Sequence, residues 1–155
     1  MIAQNKSQKP HGPKPRIRAA GAVIVRPISS GHLFLLLRAY RFWDFPKGEC
    51  GATEEPFDCA LREVLEETGM ESLQWPWGRL FYETPPYGRG KVARYYLGRT
   101  WQEEVRLGVN PELGRPEHHE ARWVSFDEGM ALLVPRLQEV LLWARGQIIS
   151  QKDAF

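Results

Sequence analysis

Three glutamates lie close together in a segment with helical periodicity: Glu63, Glu66 and Glu67. Successive helical residues are rotated by ~100°, so these carboxylates fall within an arc of roughly 100°, opposite the apolar stripe of the helix. Like charges at this spacing destabilise a helix by ~0.2–0.5 kcal/mol per pair. A hard divalent cation would offset the repulsion, because Mg²⁺ prefers oxygen ligands and binds carboxylates together with phosphates and water. The segment therefore indicates either a solvated acidic face or a magnesium site.

The residues around the glutamates follow a longer pattern with fixed gaps. Gly48 is followed after five residues by Glu54, and Glu54 is followed after seven residues by Arg62-Glu63-Val64. Single residues then separate this triplet from Glu66-Glu67, and Glu66-Glu67 from Gly69-Met70. A solvated face explains the glutamates but not the fixed distances to Gly48 and Glu54. A solvated acidic face alone therefore does not account for the whole pattern.

This spacing resembles the signature of the Nudix (MutT-like) hydrolases, G-x5-E-x7-R-E-U-x-E-E-x-G-U with U a bulky aliphatic residue, and matches it at every specified position. The resemblance covers residues 16–146 approximately. It implies an α+β fold, in which an α/β/α sandwich surrounds a central mixed β-sheet. It also implies that Mg²⁺, or Mn²⁺, binds the signature and holds a diphosphate or longer bridge. The metal ligands it implies are Glu63, Glu66, Glu67 and the Gly48 carbonyl, with Arg62 and Glu54 supporting the carboxylates.

The implied reaction is metal-assisted substitution at phosphorus by water. A carboxylate must remove the proton of that water, and the signature does not decide which one. Glu63 is one candidate. Glu117, which precedes a predicted strand, is the other and could also bind metal.

Three further segments resemble the asymmetrical diadenosine tetraphosphate hydrolases: FWDFPKGE, KVARYYLG and PEHHEARWVSFDEG. This likeness implies that Glu117 is the distal catalytic or metal-binding glutamate. It also implies that Tyr95 or Tyr96 lies near a stacked adenine. The predicted substrate is therefore diadenosine tetraphosphate, cleaved to ATP and AMP.

A nucleotide polyphosphate needs cations for its charge and flat apolar faces for its bases, and stacking contributes ~1–3 kcal/mol per base. The candidate substrate-binding residues are Lys47, Arg38, Lys91, Tyr87 and one of Tyr95 and Tyr96, since neighbours on a strand point to opposite faces. His118 and His119 could contact phosphate or assist proton transfer, or could be simply exposed.

Two other functions remain open. Phe45-Pro46-Lys47-Gly48 is also close to enzymes that act on the 5′-triphosphate end of RNA, so a pyrophosphohydrolase of RNA ends or of nucleoside triphosphates is the first alternative. A Nudix module that binds a nucleotide without cleaving it is the second. Such a module is expected to lack signature residues, and none is missing here.

Apolar periodicity predicts the elements that position these residues. Residues 19–27 and 32–40 are predicted strands, followed by an irregular segment over residues 43–53. A helix from about Pro56 to Gly69 should bury Phe57, Ala60, Leu61, Val64 and Leu65. Residues 72–86, 91–101 and 121–126 are predicted strands, and Asp127 is expected to cap a short helix. A last helix over residues 136–146 should bury Leu137, Val140, Leu141 and Ala144.

The bulk composition fits one domain over residues 16–150, preceded by a flexible tail over residues 1–15. The chain has 155 residues and a net charge of +2, which gives no sign of general nucleic-acid binding. No apolar run reaches the ~20 residues of a membrane span, so we expect a cytoplasmic protein. Its partner should be a small nucleotide, or an RNA 5′ end under the first alternative, bound by a monomer or small homo-oligomer. Cys50 and Cys59 are expected to be reduced and without a role.

Overall fold

The structure, a computed structural model, describes residues 18–154 as a mixed β-sheet with helices on both of its faces. The strands of the sheet are β1 (Arg18–Ile28), β2 (Gly31–Ala39), β3 (Phe42–Asp44), β4 (Lys47–Glu49), β5 (Phe81–Glu83), β6 (Val92–Arg99) and β9 (Glu120–Val124). The central order is β3-β2-β1-β6-β5, while β4 also pairs with β1 and β9 with β2. The pairing of β1 with β6 is parallel, and the other pairings in this sheet are antiparallel. The predicted α/β/α sandwich is confirmed.

Strand β1 is almost continuously apolar because both of its faces are covered. Val23 and Val25 belong to a core formed with helix α3 (Pro135–Ala154), which buries Leu137, Val140, Leu141 and Ala144 as predicted. Ala22 and Ile24 face the other side, where they pack with Val64 of helix α1 (Pro56–Thr68). Neighbouring residues of β1 point to opposite faces of the sheet, so this strand contacts both helical layers.

Helix α1 begins at Pro56 and is followed by Gly69 in the left-handed conformation, as predicted. Its buried face is rotated from the predicted one: Leu61 and Leu65 are 36% and 43% exposed, whereas Cys59 and Thr68 are buried. The reason is that α1 packs against β4 and the segment around it as well as the sheet. Glu63 and Glu67 consequently lie on the buried side of the helix, and the prediction that they lie opposite the apolar stripe was wrong.

The segment predicted to be irregular contains two short strands, β3 and β4. Strand β4 pairs with Ala19, Ala20 and Gly21 of β1. A Cβ at Gly21 would overlap the Pro46 carbonyl and Lys47, so only glycine permits this close approach. The contact holds the Lys47-Gly48 backbone in front of helix α1.

Other differences from the predicted elements are local. Strand β5 has three residues because Pro76 and Gly78 interrupt the segment before it, where Gln74 forms an isolated bridge to Arg99. A hairpin of β7 (Val109–Asn110) and β8 (Arg115–Pro116) was not predicted, since each strand is only two residues long. Helix α2 (Phe126–Leu132) is capped by Ser125 in a capping box with Glu128, not by Asp127.

The expectation that both cysteines are reduced was wrong: Cys50 and Cys59 form a disulfide, with their Cα atoms 5.3 Å apart. Cys50 follows β4 directly, and the chain then turns back into α1, so the two residues meet. The bond links the segment that carries Gly48 to the helix that carries the glutamates. The predicted tail over residues 1–15 lies outside the described residues.

Candidate active site

One helix and one loop bring the predicted acidic residues together. Helix α1 contributes Glu63 and Glu67, and the loop between β8 and β9 contributes Glu117 and His118. One ligand atom each from Glu67, Glu117 and His118 lies within 4.8 Å of the others. Glu117 and His118 are 50 and 51 positions from Glu67 in the sequence, so only the fold brings the three residues together.

Glu67 is the innermost carboxylate of this group. Its Oε1 accepts a hydrogen bond from the backbone N–H of Lys47 at 3.0 Å. The pKa of Glu67 is raised to about 8, mainly by burial and in part by the negative charges of Glu63 and Glu117, while the N–H and the charge of Lys47 oppose the shift. A carboxyl group in this environment is ready to ionise when a cation arrives.

Glu63 lies beside Glu67, with a side chain that is 12% exposed. Its Oε2 accepts a hydrogen bond from Arg62 Nη1 at 2.9 Å. Burial raises the pKa of Glu63, and Arg62 opposes that effect. A Cβ at Gly48 would overlap the Glu63 carboxylate, so the glycine lets the β4 backbone pass directly over the acid. A larger residue at position 48 would therefore displace the Glu63 carboxylate from this place.

Arg62 is the centre of an ion-pair network on the rim of the site. Its Nε and Nη2 donate to the two carboxylate oxygens of Glu54 at 2.8 and 2.9 Å. Nη1 contacts Glu66 at 3.2 Å, and Nη2 also donates to the carbonyl of Glu49 at 3.0 Å. The bidentate bond from Arg62 lowers the pKa of Glu54 to about 2. Arg62 therefore links strand β4, the loop between β4 and α1, and helix α1 at the edge of the acidic cluster.

Glu66 differs from the other two glutamates of α1, because its side chain is 57% exposed. It reaches Arg62 from the outer side of the helix, away from the group of Glu67, Glu117 and His118.

Two polar residues that the sequence did not single out complete the surroundings. Asp44 Oδ2 forms an ion pair with Lys47 Nζ at 3.1 Å, and its Oδ1 accepts from the Tyr95 hydroxyl at the same distance. Although burial opposes the charge of Lys47, Asp44 and Tyr87 raise its pKa overall. Asn110 Nδ2 donates to Glu117 Oε1 at 3.4 Å. Asp44 lies in the FWDFPKGE segment but was assigned no role there, and Asn110 belongs to no spaced pattern, so only the fold revealed these contacts.

The prediction that Tyr95 or Tyr96 of β6 stacks against a base needs correction, because both are core residues. Tyr95 is 0% exposed and Tyr96 is 4% exposed. Tyr95 packs against Phe45 on one side of the sheet, and Tyr96 packs against Phe57 and Phe81 on the other. Because helices cover both faces of β6, neither ring offers a free face to a base.

The remaining predicted substrate residues lie around the site with different partners. The Arg136 guanidinium covers the Tyr87 ring at 3.9 Å, and Tyr87 forms a backbone bridge with Lys91. Arg38 pairs with Glu120 at 3.1 Å and lies 6.0 Å from the Trp43 ring centroid. Lys47 forms the ion pair with Asp44 described above. Arg38 and Lys47 therefore each already have an acidic partner within the chain.

The family model described as NUDIX domain matches residues 15–144. The chain belongs to the Nudix family. An RNA pyrophosphohydrolase of Wolbachia sp. subsp. Brugia malayi is 31% identical over 124 residues, which cover 71% of this chain and 76% of that protein. An RNA pyrophosphohydrolase of Brucella anthropi is 30% identical over 97 residues, and this match spans 55% of the chain and only 56% of that relative's length.

The Nudix fold is shared with solved structures. The crystal structure of a C. elegans Ap4A hydrolase binary complex superposes with a TM-score of 0.68 at 24% identity, covering 90% of this chain and 99% of that chain. Between residues 18 and 154, none of the helices combines the length and apolar character needed to cross a membrane.

Proposed function

We propose that this Nudix protein hydrolyses a phosphoanhydride bond of a nucleoside polyphosphate, with Mg²⁺ or Mn²⁺ as cofactor. The observation that carries the proposal is the convergence of the signature glutamates of α1 with Glu117 from a distant loop. A structural ion-pair cluster would pair each of these acids with a cation. Arg62 pairs with Glu63 and Glu66, but among residues 18–154 no ion pair includes Glu67 or Glu117. Burial holds Glu67 in an environment that favours protonation until a cation binds.

The donor set fits a hard divalent ion. Glu63, Glu67 and Glu117 offer carboxylate oxygens, and the Gly48 backbone runs against Glu63. Glu66 is a less direct candidate, because its side chain is more exposed and contacts Arg62. A bound ion would supply neutralisation of phosphate charge and a lower pKa for an attacking water.

The protein residues would perform the remaining steps. Glu117 is the proposed general base, because its side chain is exposed at the end of the cluster; it would bind the ion through one carboxylate oxygen and accept the proton on the other. Glu63 is the alternative. Arg62 and Glu54 would hold Glu63 in position through the bonds described above. Lys47, Arg38, Lys91 and Tyr87 are the proposed contacts to the phosphates and the nucleoside.

Diadenosine tetraphosphate is the first candidate substrate, cleaved to ATP and AMP. The support is the likeness of three sequence segments to asymmetrical hydrolases of this nucleotide, together with a fold that resembles the C. elegans Ap4A hydrolase over most of its length. Burial of Tyr95 and Tyr96 means that base stacking must use other groups, such as Tyr87.

The 5′-triphosphate end of RNA is the second candidate substrate. It is favoured by Phe45-Pro46-Lys47-Gly48 and by relatives at 30% and 31% identity that are RNA pyrophosphohydrolases. The chemistry at phosphorus would be the same, and only the leaving group and the contacts to the nucleoside would differ.

A product assay distinguishes these possibilities. The full-length protein is incubated with Mg²⁺ and diadenosine tetraphosphate, a triphosphorylated RNA or a nucleoside triphosphate, and products are resolved by anion exchange. We expect ATP and AMP to form fastest from the dinucleotide. Faster release of pyrophosphate or phosphate from RNA or nucleoside triphosphate would keep the reaction class and replace the substrate. No turnover of any substrate, with retained nucleotide binding, would support a non-catalytic Nudix module.

The general base is tested with two matched variants, Glu117→Gln and Glu63→Gln. If Glu117 is the base, Glu117→Gln lowers kcat by about 10²–10⁴-fold, the range of a lost general base, and the loss is smaller at high pH. An unchanged kcat in Glu117→Gln would transfer the role to Glu63.

A further inference from the structure

The two histidines after Glu117 have different neighbours although they are adjacent. His118 is part of the group with Glu67 and Glu117. His119 instead packs edge-on against Tyr40, with ring centroids 4.8 Å apart. The His119 backbone N–H donates to the carbonyl of Arg38 at 2.7 Å, which fixes this part of the loop beside β2. The loop therefore directs His118, and not His119, toward the acidic side of α1.

The distances within the group suit a metal ion. Ligand atoms at ~2.1 Å from an ion lie roughly 3 Å apart when adjacent and ~4.2 Å apart when opposite. The 4.8 Å limit that contains the three donors is only slightly larger, so small side-chain rotations would bring them around one ion. Two of the donors are also held in place, Glu67 by the Lys47 N–H and Glu117 by Asn110.

We propose that His118 is a nitrogen ligand of a divalent transition-metal ion that Glu67 and Glu117 bind with it. The inference rests on the proposed function, because it adds a donor to the ion that this function requires. Imidazole favours transition metals, and the affinity of a nitrogen-containing site increases from Mn²⁺ to Co²⁺, whereas Mg²⁺ prefers oxygen. His118 would therefore shift the preference of this site from Mg²⁺ toward Mn²⁺ and Co²⁺.

The ligand is tested by spectroscopy on the full-length protein with Mn²⁺ as the probe. Electron spin echo envelope modulation detects nitrogen bound to Mn²⁺, and labelling histidine with ¹⁵N identifies the nitrogen as imidazole. We expect ¹⁴N modulation in the wild type that changes on ¹⁵N-histidine labelling. It should disappear in His118→Gln and remain in the matched variant His119→Gln. The labelled wild type tests the proposal even if a variant does not fold.

Metal affinities give a second readout that does not depend on turnover. Loss of an outer partner of a metal ligand lowers affinity by about 10–100-fold, and loss of a direct ligand should cost at least as much. We expect His118→Gln to lose about tenfold or more in Mn²⁺ affinity, more for Co²⁺ and less for Mg²⁺. His119→Gln should retain the wild-type order of affinities.

Several outcomes would overturn the proposal. Wild-type protein that binds Mn²⁺ without histidine modulation would exclude His118 as a ligand, as would modulation that persists in His118→Gln. Either result, with metal-dependent turnover intact, would leave the proposed function standing. Absence of both Mn²⁺ binding and turnover in the wild type would instead reject the function together with the inference.

Discussion

At the scale of single residues, the buried carboxyl of Glu67 lowers the stability of the fold in the place where it favours binding of a cation. Burial disfavours its charged form, and the carboxylates of Glu63 and Glu117 add repulsion, so its pKa rises to about 8. Without a cation this environment favours the protonated form of Glu67 in the folded protein. The same environment strengthens its interaction with a divalent ion, because little water competes for the carboxylate.

Glu67→Gln should separate the two effects. The neutral amide resembles the protonated acid in size, so we expect the variant to unfold in chelator at the wild-type temperature or above it. Metal-dependent turnover should fall by on the order of 100-fold or more, since a ligand is lost. Thermal unfolding with EDTA and steady-state kinetics measure the two quantities. The control is Glu66→Gln, for which a smaller kinetic loss is expected; full activity of Glu67→Gln would exclude Glu67 as a ligand.

Glu54 illustrates the opposite direction of pKa change. Arg62 lowers the pKa of Glu54 to about 2, so the ionised carboxylate is favoured in the folded state. A lowered carboxyl pKa contributes stability above the unfolded value of about 4.5 and loses it as the pH falls toward 2.

We therefore expect Glu54→Gln to be less stable than the wild type at pH 6–7. The difference in urea midpoint should stay constant down to about pH 5 and shrink between about pH 4.5 and pH 3, as long as both proteins remain folded. NMR titration of the Glu54 carboxyl gives its pKa directly. A midpoint near 4.5 would show that the Arg62 bond does not form in solution.

At the element scale, the contact of β4 with β1 places the backbone of the signature. Gly21 has no space for a Cβ, which would overlap backbone and side-chain atoms of Pro46 and Lys47. Gly146 in helix α3 is the matched case, because a Cβ there meets nothing within 4 Å.

We expect alanine substitutions at these two glycines to change the free energy of unfolding in opposite directions. Gly21→Ala should lower the free energy of unfolding by about 1–3 kcal/mol, the usual cost of overpacking. Gly146→Ala should raise it by up to about 1 kcal/mol, because alanine is the better helix former. Urea denaturation measures both. A neutral Gly21→Ala would contradict the close approach of β4 to β1.

The disulfide joins the segment after β4 to helix α1 across a sequence separation of 9 residues. Closing a loop of this size in the unfolded chain is worth about 2–3 kcal/mol in the chain-entropy model. We expect reductant to lower the free energy of unfolding of the wild type by about that amount, with no effect on Cys50→Ser. Equal urea midpoints with and without reductant in the wild type would argue against the bond.

At the scale of the whole molecule, the sandwich makes metal binding and folding interdependent. The ligands come from α1 and from the loop between β8 and β9, and they meet only when the sheet is complete. A ligand that binds only the folded state stabilises it in proportion to the logarithm of its concentration.

Mg²⁺ or Mn²⁺ at about 100 times its Kd should therefore stabilise the protein by about 2.7 kcal/mol. For a domain of this size that corresponds to a rise in Tm of roughly 5–10 °C, which chelator should reverse. Differential scanning calorimetry with Mg²⁺, Mn²⁺ or EDTA measures the shift, with K⁺ at equal ionic strength as the control. An unchanged Tm would indicate that the folded chain has no preference for the ion.

The sequence by itself determined the family, the helix from Pro56 to Gly69 and the residues of the signature. Local signals sufficed for these features, because fixed spacing, a proline at the helix start and a glycine after its end all act within one short segment. The apolar stripe of α3 was equally readable, since helical periodicity reports the burial of a helix that packs on one side only.

Tertiary structure decided which of these residues share a site and which fill the core. Burial of Glu63 and Glu67 depends on β4 crossing α1, and the grouping of Glu67 with Glu117 and His118 depends on a loop distant in sequence. Tyr95 and Tyr96 could not be distinguished from ligand-binding aromatics, because strand alternation gives two faces but not what covers them. Local sequence determines which residues share a face of a helix or strand. Long-range packing determines which other residues cover that face.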